Sequence, residues 1–381
     1  MKKFKIGLHP LWLDTDPNGG VATYWCELIR HFEELNAGRR HFTVYYPEAA
    51  ERFRNWACSQ EIELRPMWPS SRWLEIPISL PIELYRRPVD LLHVQSLAPP
   101  MCPVNYVQTI NDLAWITNPE VFPPLLRWRL STMCRWSSKR ALKIITVSQF
   151  TRRMLLEHYG LPEEKVVVIY HGVNQIYRPV RDPRHLEGIK RKFAANCPFV
   201  LYVGKIQARK NLVRLVQAFK AVTERGMPHK LLLAGKRTYL SDDIFAEIAK
   251  LGLTERVQHV GEVPAEDLHL LFAAAELFVF PSLSEGFGIP PLEAMACGTP
   301  VVASNATSLP EVVGDAGLTV NPYDTAALAD AMCAVLASEE LRRRLSEKAL
   351  RRAALFSNRR MAEQTLDVYE GVLVAKATAS S

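Results

Sequence analysis

No stretch of this 381-residue chain stays apolar for the roughly 18–20 residues that crossing a bilayer requires. Its seven cysteines are odd in number and contain no Cys-x-x-Cys pair, which argues against a disulfide framework and against structural zinc. A reducing compartment fits. No Gly-x-Gly-x-x-Gly follows a strand pattern, so the fingerprint of a nicotinamide oxidoreductase is missing. Zinc-finger spacings, RNP-like stretches and long Lys/Arg blocks are absent too. The formal charge of +7 is too diffuse to argue for nucleic acid, and suits an anionic ligand or an anionic membrane surface. The opening residues, Met1 to His9, are basic with only a short apolar run before Pro10. They read as a first strand with no signal peptide, and the expected location is cytoplasmic.

What is present is an ordinary globular composition, 48% apolar and 23% charged, on a chain long enough for two domains of roughly 150–200 residues. Strand patterns fall at Phe4–Leu8, Phe42–Tyr46, Val89–Val94, Tyr106–Ile110, Ile144–Val147 and Val166–Tyr170. The pattern restarts at Phe199–Val203, Lys230–Ala234, Val257–Val260, Leu277–Phe280 and Val301–Ala303. Helical periodicity alternates with them. Val21, Trp25, Leu28, Ile29, Phe32 and Leu35 form one stripe, and Leu366, Tyr369 and Leu373 another. Repeated βα units predict an α/β protein with two doubly wound, Rossmann-like parallel sheets facing across a cleft at their carboxyl ends. Tyr177–Pro183, polar and proline-bearing, is the expected linker. The domains are therefore expected at 1–178 and 184–355, with a helix over 356–375.

Chemistry concentrates in two segments. In Phe280-Pro-Ser-Leu-Ser-Glu285-Gly-Phe-Gly-Ile-Pro-Pro-Leu-Glu293, a strand ends in a glycine loop and a helix starts at the prolines. Glycines allow backbone to approach a ligand, and amides at a helix start attract a diphosphate. Two acids beside an anion would repel it unless they face its uncharged sugar and ribose. In Leu201-Tyr-Val-Gly204-Lys205-Ile-Gln-Ala-Arg209-Lys210-Asn-Leu212, a second strand runs into a loop with three cations. Such a loop can neutralise the charge that builds on a leaving diphosphate.

Together these segments resemble the retaining glycosyltransferases of family 4, which have the GT-B fold; the Glu-Gly-Phe-Gly start and the Glu-Ala-Met-Ala-x-Gly-x-Pro-Val-Val finish, Glu293 to Val302, carry the resemblance. It implies that Glu285 lies against the donor sugar and Glu293 binds ribose hydroxyls. Gly286 belongs to the same loop, and the amides of Phe287, Gly288 and Ile289 contact sugar and phosphates. Lys210 is implied to bind the diphosphate with Gly204 and Arg209 beside it. Lys205 stands where the family often has arginine, keeping the charge but losing the bidentate fork. Gly19 and Gly20, after Asn18, resemble the family's first glycine loop.

Further positions depart from the family pattern. Thr109-Ile-Asn111-Asp112 resembles a segment in which histidine precedes the aspartate; Asn111 hydrogen-bonds but carries no titrating proton near neutral pH. His93, at a strand end, is a candidate for the acceptor side. Glu311 resembles a helix at the far side of the donor pocket. The tail from Phe356 resembles a last helix that crosses back to the first domain, with Asn358 where the family often has tryptophan. Asp14-Thr-Asp16 matches a three-residue metal signature in the wrong context, so no metal and no cofactor is expected.

The resemblance implies a hexosyltransferase that acts with retention on a nucleotide diphosphate sugar, with GDP-mannose the favoured donor. A glycan or lipid-linked glycan in cell-surface polysaccharide synthesis is the implied acceptor. UDP- or ADP-glucose is the alternative donor. A phosphorylase, an epimerase or a non-catalytic sugar-nucleotide binder of similar fold are the alternative activities. Finally, on a helical wheel over residues 125–143, Arg129, Arg135, Lys139, Arg140 and Lys143 share a face with Trp128 and Trp136. Leu126, Leu130, Met133, Cys134 and Ala141 lie opposite. Tryptophan among cations suits an anionic membrane surface, and equally arginine stems stacked on indole.

Overall fold

The computed structural model describes residues 3–11, 19–36, 38–47, 62–71, 73–119, 122–194, 197–238 and 241–379. Two compact units emerge: residues 1–172 with 357–381, and residues 173–356.

The first unit holds strands β1 (Phe4–His9), β2 (Arg40–Pro47), β3 (Ile62–Met67), β4 (Leu91–Gln95), β5 (Tyr106–Ile110), β6 (Lys143–Thr146) and β7 (Val166–Val168). They form one parallel sheet in the order β3-β2-β1-β4-β5-β6-β7. The second unit holds β8 (Phe199–Val203), β9 (Lys230–Ala234), β10 (Val257–Gly261), β11 (Leu277–Phe280), β12 (Val301–Ser304) and β13 (Leu318–Val320), in the order β10-β9-β8-β11-β12-β13. In each sheet the chain winds outward in one direction and then in the other. A switch point falls between β1 and β4, and another between β8 and β11, where loops diverge and ligands bind in such sheets. Strands such as β8 and β11 read as unbroken apolar runs because both faces are covered. All five residues of β4 and of β5 are buried, as are the four of β11 and of β12.

Helix Gly20–Leu35 buries more than its predicted stripe. Besides Trp25, Leu28, Ile29 and Phe32, it buries Tyr24, Glu27 and His31. The reason is the terminal helix, Asn358–Ala379, which belongs to the first unit and packs along it through Met361, Ala362, Leu366, Tyr369, Val372 and Leu373. Asn358 is buried there and donates to Glu27 Oε2 at 3.1 Å.

The division falls between Gly172 and Val173, ahead of the expected linker. Residues 173–182 belong to the second unit. Tyr177 packs edge-on against Phe272 at 5.7 Å, and the carbonyl of Arg178 meets His269 Nε2 at 2.9 Å. A helix begins directly at Pro183.

Helix Pro124–Arg140 corrects the predicted wheel. It ends before Ala141, and Lys143 opens β6, its ammonium donating to the Glu164 carbonyl. The buried side is Cys134, Ser137 and Ser138, with Ser137 Oγ accepting from Gln108 and its carbonyl accepting from the Tyr106 hydroxyl.

Candidate functional site

The loops after β8 and β11 meet at the switch point of the second sheet. Their main chains are joined directly: Leu283 N–H donates to the Arg209 carbonyl at 3.0 Å, and Ser282 Oγ lies 3.3 Å from the same carbonyl. Asn211, at φ 61°, heads helix Leu212–Glu224 and ties the junction with Nδ2–H bonds to the carbonyls of Pro281 and Pro322. A helix start near Asn211 is legible in the sequence, but this tie is not, because the side chain makes no cap bond and reaches distant carbonyls instead.

This seam places Glu285 between two cations. Lys210 Nζ lies 2.5 Å from Glu285 Oε1 and Arg209 Nη1 lies 3.2 Å from Oε2. Ser282 Oγ donates to Oε1 at 2.5 Å. Arg209 also donates to the Ser284 carbonyl, and Lys210 Nζ stands 5.1 Å over the Phe280 ring. Burial alone would push the Glu285 carboxyl up. The charges of Lys210 and Arg209, with hydrogen bonds from Lys210 and Ser282, outweigh it and bring the carboxyl down to about 2. Two cations against one carboxylate leave a local excess of positive charge, which suits a polyanion. Lys205 is exposed on the same loop, and its carbonyl accepts from the Tyr202 hydroxyl. Gly204 carries a close approach: a Cβ at Gly235, at φ +137°, would meet the Gly204 carbonyl oxygen at 2.1 Å.

Gly288 caps helix Ile289–Ala296 at φ +113°, and a Cβ there would sit 2.7 Å from Leu309 Cδ2. Pro290 and Pro291 remove two donors from the first turn. The amides at this helix start are therefore concentrated at Phe287, Gly288 and Ile289. Gly286 lies in the loop before them. One turn into the helix, the half-buried Glu293 is hydrogen-bonded to Tyr177; burial pushes its carboxyl up to about 8, against the pull of that bond. Glu311 lies on helix Leu309–Val313, where the Glu311 carbonyl accepts from Arg352.

The remaining candidates belong to the first unit. Gly19 caps helix Gly20–Leu35 without a side-chain bond, after β1 at that sheet's switch point. Asn18 and Asp14-Thr-Asp16 lie outside the described residues. After β5, Asp112 Oδ1 accepts from Ala114 N–H at 3.2 Å and opens a short helix. Asn111 Oδ1 is buried with no hydrogen-bond partner among the described residues, an acceptor a ligand hydroxyl would satisfy. His93 is a correction. It sits on β4, interior to the sheet, and is fully buried. Its Nδ1 meets the Tyr369 hydroxyl at 2.5 Å and its Nε2 meets Thr109 Oγ1 at 2.6 Å. Desolvation drops its pKa to about 3. Both nitrogens are thus hydrogen-bonded within the core rather than facing open space.

Residues 18–175 match the family model described as Glycosyltransferase Family 4, and residues 187–352 the model Glycosyl transferases group 1. An O-antigen chain mannosyltransferase B of Escherichia coli is 36% identical over 267 residues, covering 69% of this chain and 70% of that protein. A serotype-specific mannosyltransferase of Escherichia coli is 31% identical over 239 residues, 62% of this chain, and there the chain spans only 29% of the relative's length. Among solved structures, a sucrose-phosphate synthase from Thermosynechococcus elongatus superposes with a TM-score of 0.79 at 22% identity, covering 98% of this chain and all of the other.

Proposed function

The chain belongs to glycosyltransferase family 4 with the GT-B fold, and we propose that it transfers a mannosyl residue, with retention, from GDP-mannose to a glycan or lipid-linked glycan during polysaccharide synthesis. The observation that carries the reading is the Arg209–Lys210–Glu285 cluster at the switch point of the second sheet. The sugar rests on likeness to relatives named as mannosyltransferases.

In this reading Arg209 and Lys210 turn from Glu285 to the diphosphate, with Lys205 assisting from the loop and the amides of Phe287, Gly288 and Ile289 beside it. Glu285, relieved of part of its pairing, accepts hydrogen bonds from the donor sugar. Glu293 takes the ribose. The acceptor oxygen bonds to the anomeric carbon on the face from which the phosphate departs, and its proton passes to the leaving phosphate oxygen. Charge neutralisation by two cations and loop amides supplies the stabilisation that a divalent metal gives elsewhere.

GDP release from GDP-mannose with mannose-terminated oligosaccharide acceptors tests this directly, run with and without excess EDTA. Turnover that persists in EDTA is expected. Activity lost in EDTA and restored by magnesium or manganese would overturn metal independence, and turnover confined to UDP- or ADP-glucose would reassign the donor.

The helix Pro124–Arg140 supports a peripheral contact with an anionic membrane. Trp128 is 66% exposed beside Leu125, and Arg135, Lys139 and Arg140 are exposed. Stacking is also present: Arg140 lies 4.4 Å over Trp136, and Arg129 lies 4.8 Å over Trp73, itself 65% exposed. The face therefore carries open indole beside cations, the pairing an interface of headgroups favours. No helix among the described residues is long and apolar enough to cross a membrane.

A further inference from the structure

Thr307 has φ 57°, in the left-handed region that glycine enters freely and a β-branched residue avoids. Among the described non-glycine residues, Ser96 and Asn211 share that sign; asparagine tolerates it through its short polar side chain. A strained threonine persists where its surroundings demand that side chain. The demand is visible. Thr307 Oγ1 accepts the Glu285 N–H at 3.0 Å. The next residue, Ser308, is fully buried, and its hydroxyl faces the carbonyls of Glu285 at 3.0 Å and Phe287 at 2.8 Å. Leu309 then packs its Cδ2 on the open face of Gly288. Three consecutive residues after β12 thus grip the main chain of the loop from Glu285 to Gly288.

We propose that Thr307 is a positioning residue for sugar transfer, its hydroxyl fixing the Glu285 main chain so that the carboxylate is presented between Lys210 and Arg209. The proposal rests on the reading of that cluster as the donor site. Glycine at this position would relieve the backbone but leave the Glu285 N–H without its partner. The hydroxyl is the reason the strain is kept.

Stability and catalysis therefore part company in one variant. Thr307→Gly is expected to melt near the wild-type temperature, relieved strain offsetting the lost hydrogen bond, while kcat falls at least tenfold and KM for the nucleotide sugar stays within about twofold. Thr307→Ser, which keeps the hydroxyl, is expected to retain most of kcat. Three results would overturn the proposal: full kcat in Thr307→Gly, a drop in melting temperature that accompanies its loss of activity, or a Thr307→Ser as slow as the glycine variant. A wild-type enzyme that turns over no nucleotide sugar sinks the donor-site reading itself. Normal wild-type turnover with an equally fast Thr307→Gly sinks only the role of Thr307.

Discussion

Glu285 and Glu293, eight residues apart, are driven in opposite directions by their surroundings. Cations hold the first carboxyl to about 2, and burial lifts the second to about 8. The residue types at both positions were legible from the glycine loop and the helix start that follow β11. The split between them was not, because it depends on Arg209 and Lys210 arriving from another strand's loop and on the burial of Glu293, which outweighs the opposing pull of its hydrogen bond to Tyr177. Thr307 left no signal in composition or spacing, since its importance lies in a backbone angle. The shift at Glu293 predicts a pH dependence. Ribose hydroxyls donate to a carboxylate, so binding favours the ionised form, and affinity is lost as pH falls below about 8. GDP affinity is expected to weaken from pH 8.5 to 6.5 at a slope approaching tenfold per unit, and Glu293→Gln to flatten that slope while weakening binding at high pH. Calorimetric titrations across this range measure it; parallel slopes in wild type and variant would remove Glu293 from the ribose site.

The terminal helix shows what an amphipathic pattern reveals and what it hides. Leu366, Tyr369 and Leu373 marked its inner face, yet the polar contacts beneath it were invisible in sequence. Tyr369 bonds His93, Tyr24 shares hydrogen bonds with Thr109 and Thr365, Glu27 accepts from Asn358, and Arg40 pairs with Glu370. His93 misled because a histidine late in a strand resembles a site residue; the helix from the far end of the chain buries it. His93 and His171 are both pulled to about 3 by desolvation. An unfolded histidine titrates near 6.5, so the stability these neutral rings contribute is intact above about 6.5 and is lost as pH falls toward 3. By pH 5 the loss is about 2 kcal/mol for each ring. Thermal melts of the wild type are expected to fall steadily from pH 7 to 5, and His93→Gln to reduce that fall. Tyr369→Phe, which strips His93 Nδ1 of its partner, is expected to cost about 1–3 kcal/mol at neutral pH. A melting temperature flat between pH 7 and 5 would contradict this account of the buried histidines.

At the scale of the molecule, eleven strands were legible because buried parallel strands read as short apolar runs. The two that escaped, β3 and β13, lie at sheet edges and pair on one side only. β3 carries Pro66 and mixed polar residues, and β13 is three residues long with none fully buried. The boundary between units was displaced because proline and arginine mark a turn, and a turn can still pack, as Tyr177 does on Phe272. Membrane association is a property of the whole protein in its setting. Cosedimentation with anionic but not neutral liposomes is expected at low salt, with release at high salt or on charge reversal at Arg135, Lys139 and Arg140. Each cation near such a surface contributes about 1 kcal/mol, screened by salt. Equal partitioning onto neutral and anionic vesicles at low salt would assign that face another role. The central claim is that Arg209 and Lys210 are the seat of the donor's diphosphate, guarded by Glu285 until the donor arrives. Titration calorimetry of GDP into wild type, Lys210→Ala and Glu285→Gln tests it most directly. The account predicts at least tenfold weaker binding in Lys210→Ala, about 1.4 kcal/mol, and binding as tight as wild type or tighter in Glu285→Gln, where the cations are released. GDP bound equally well without the Lys210 ammonium would contradict it.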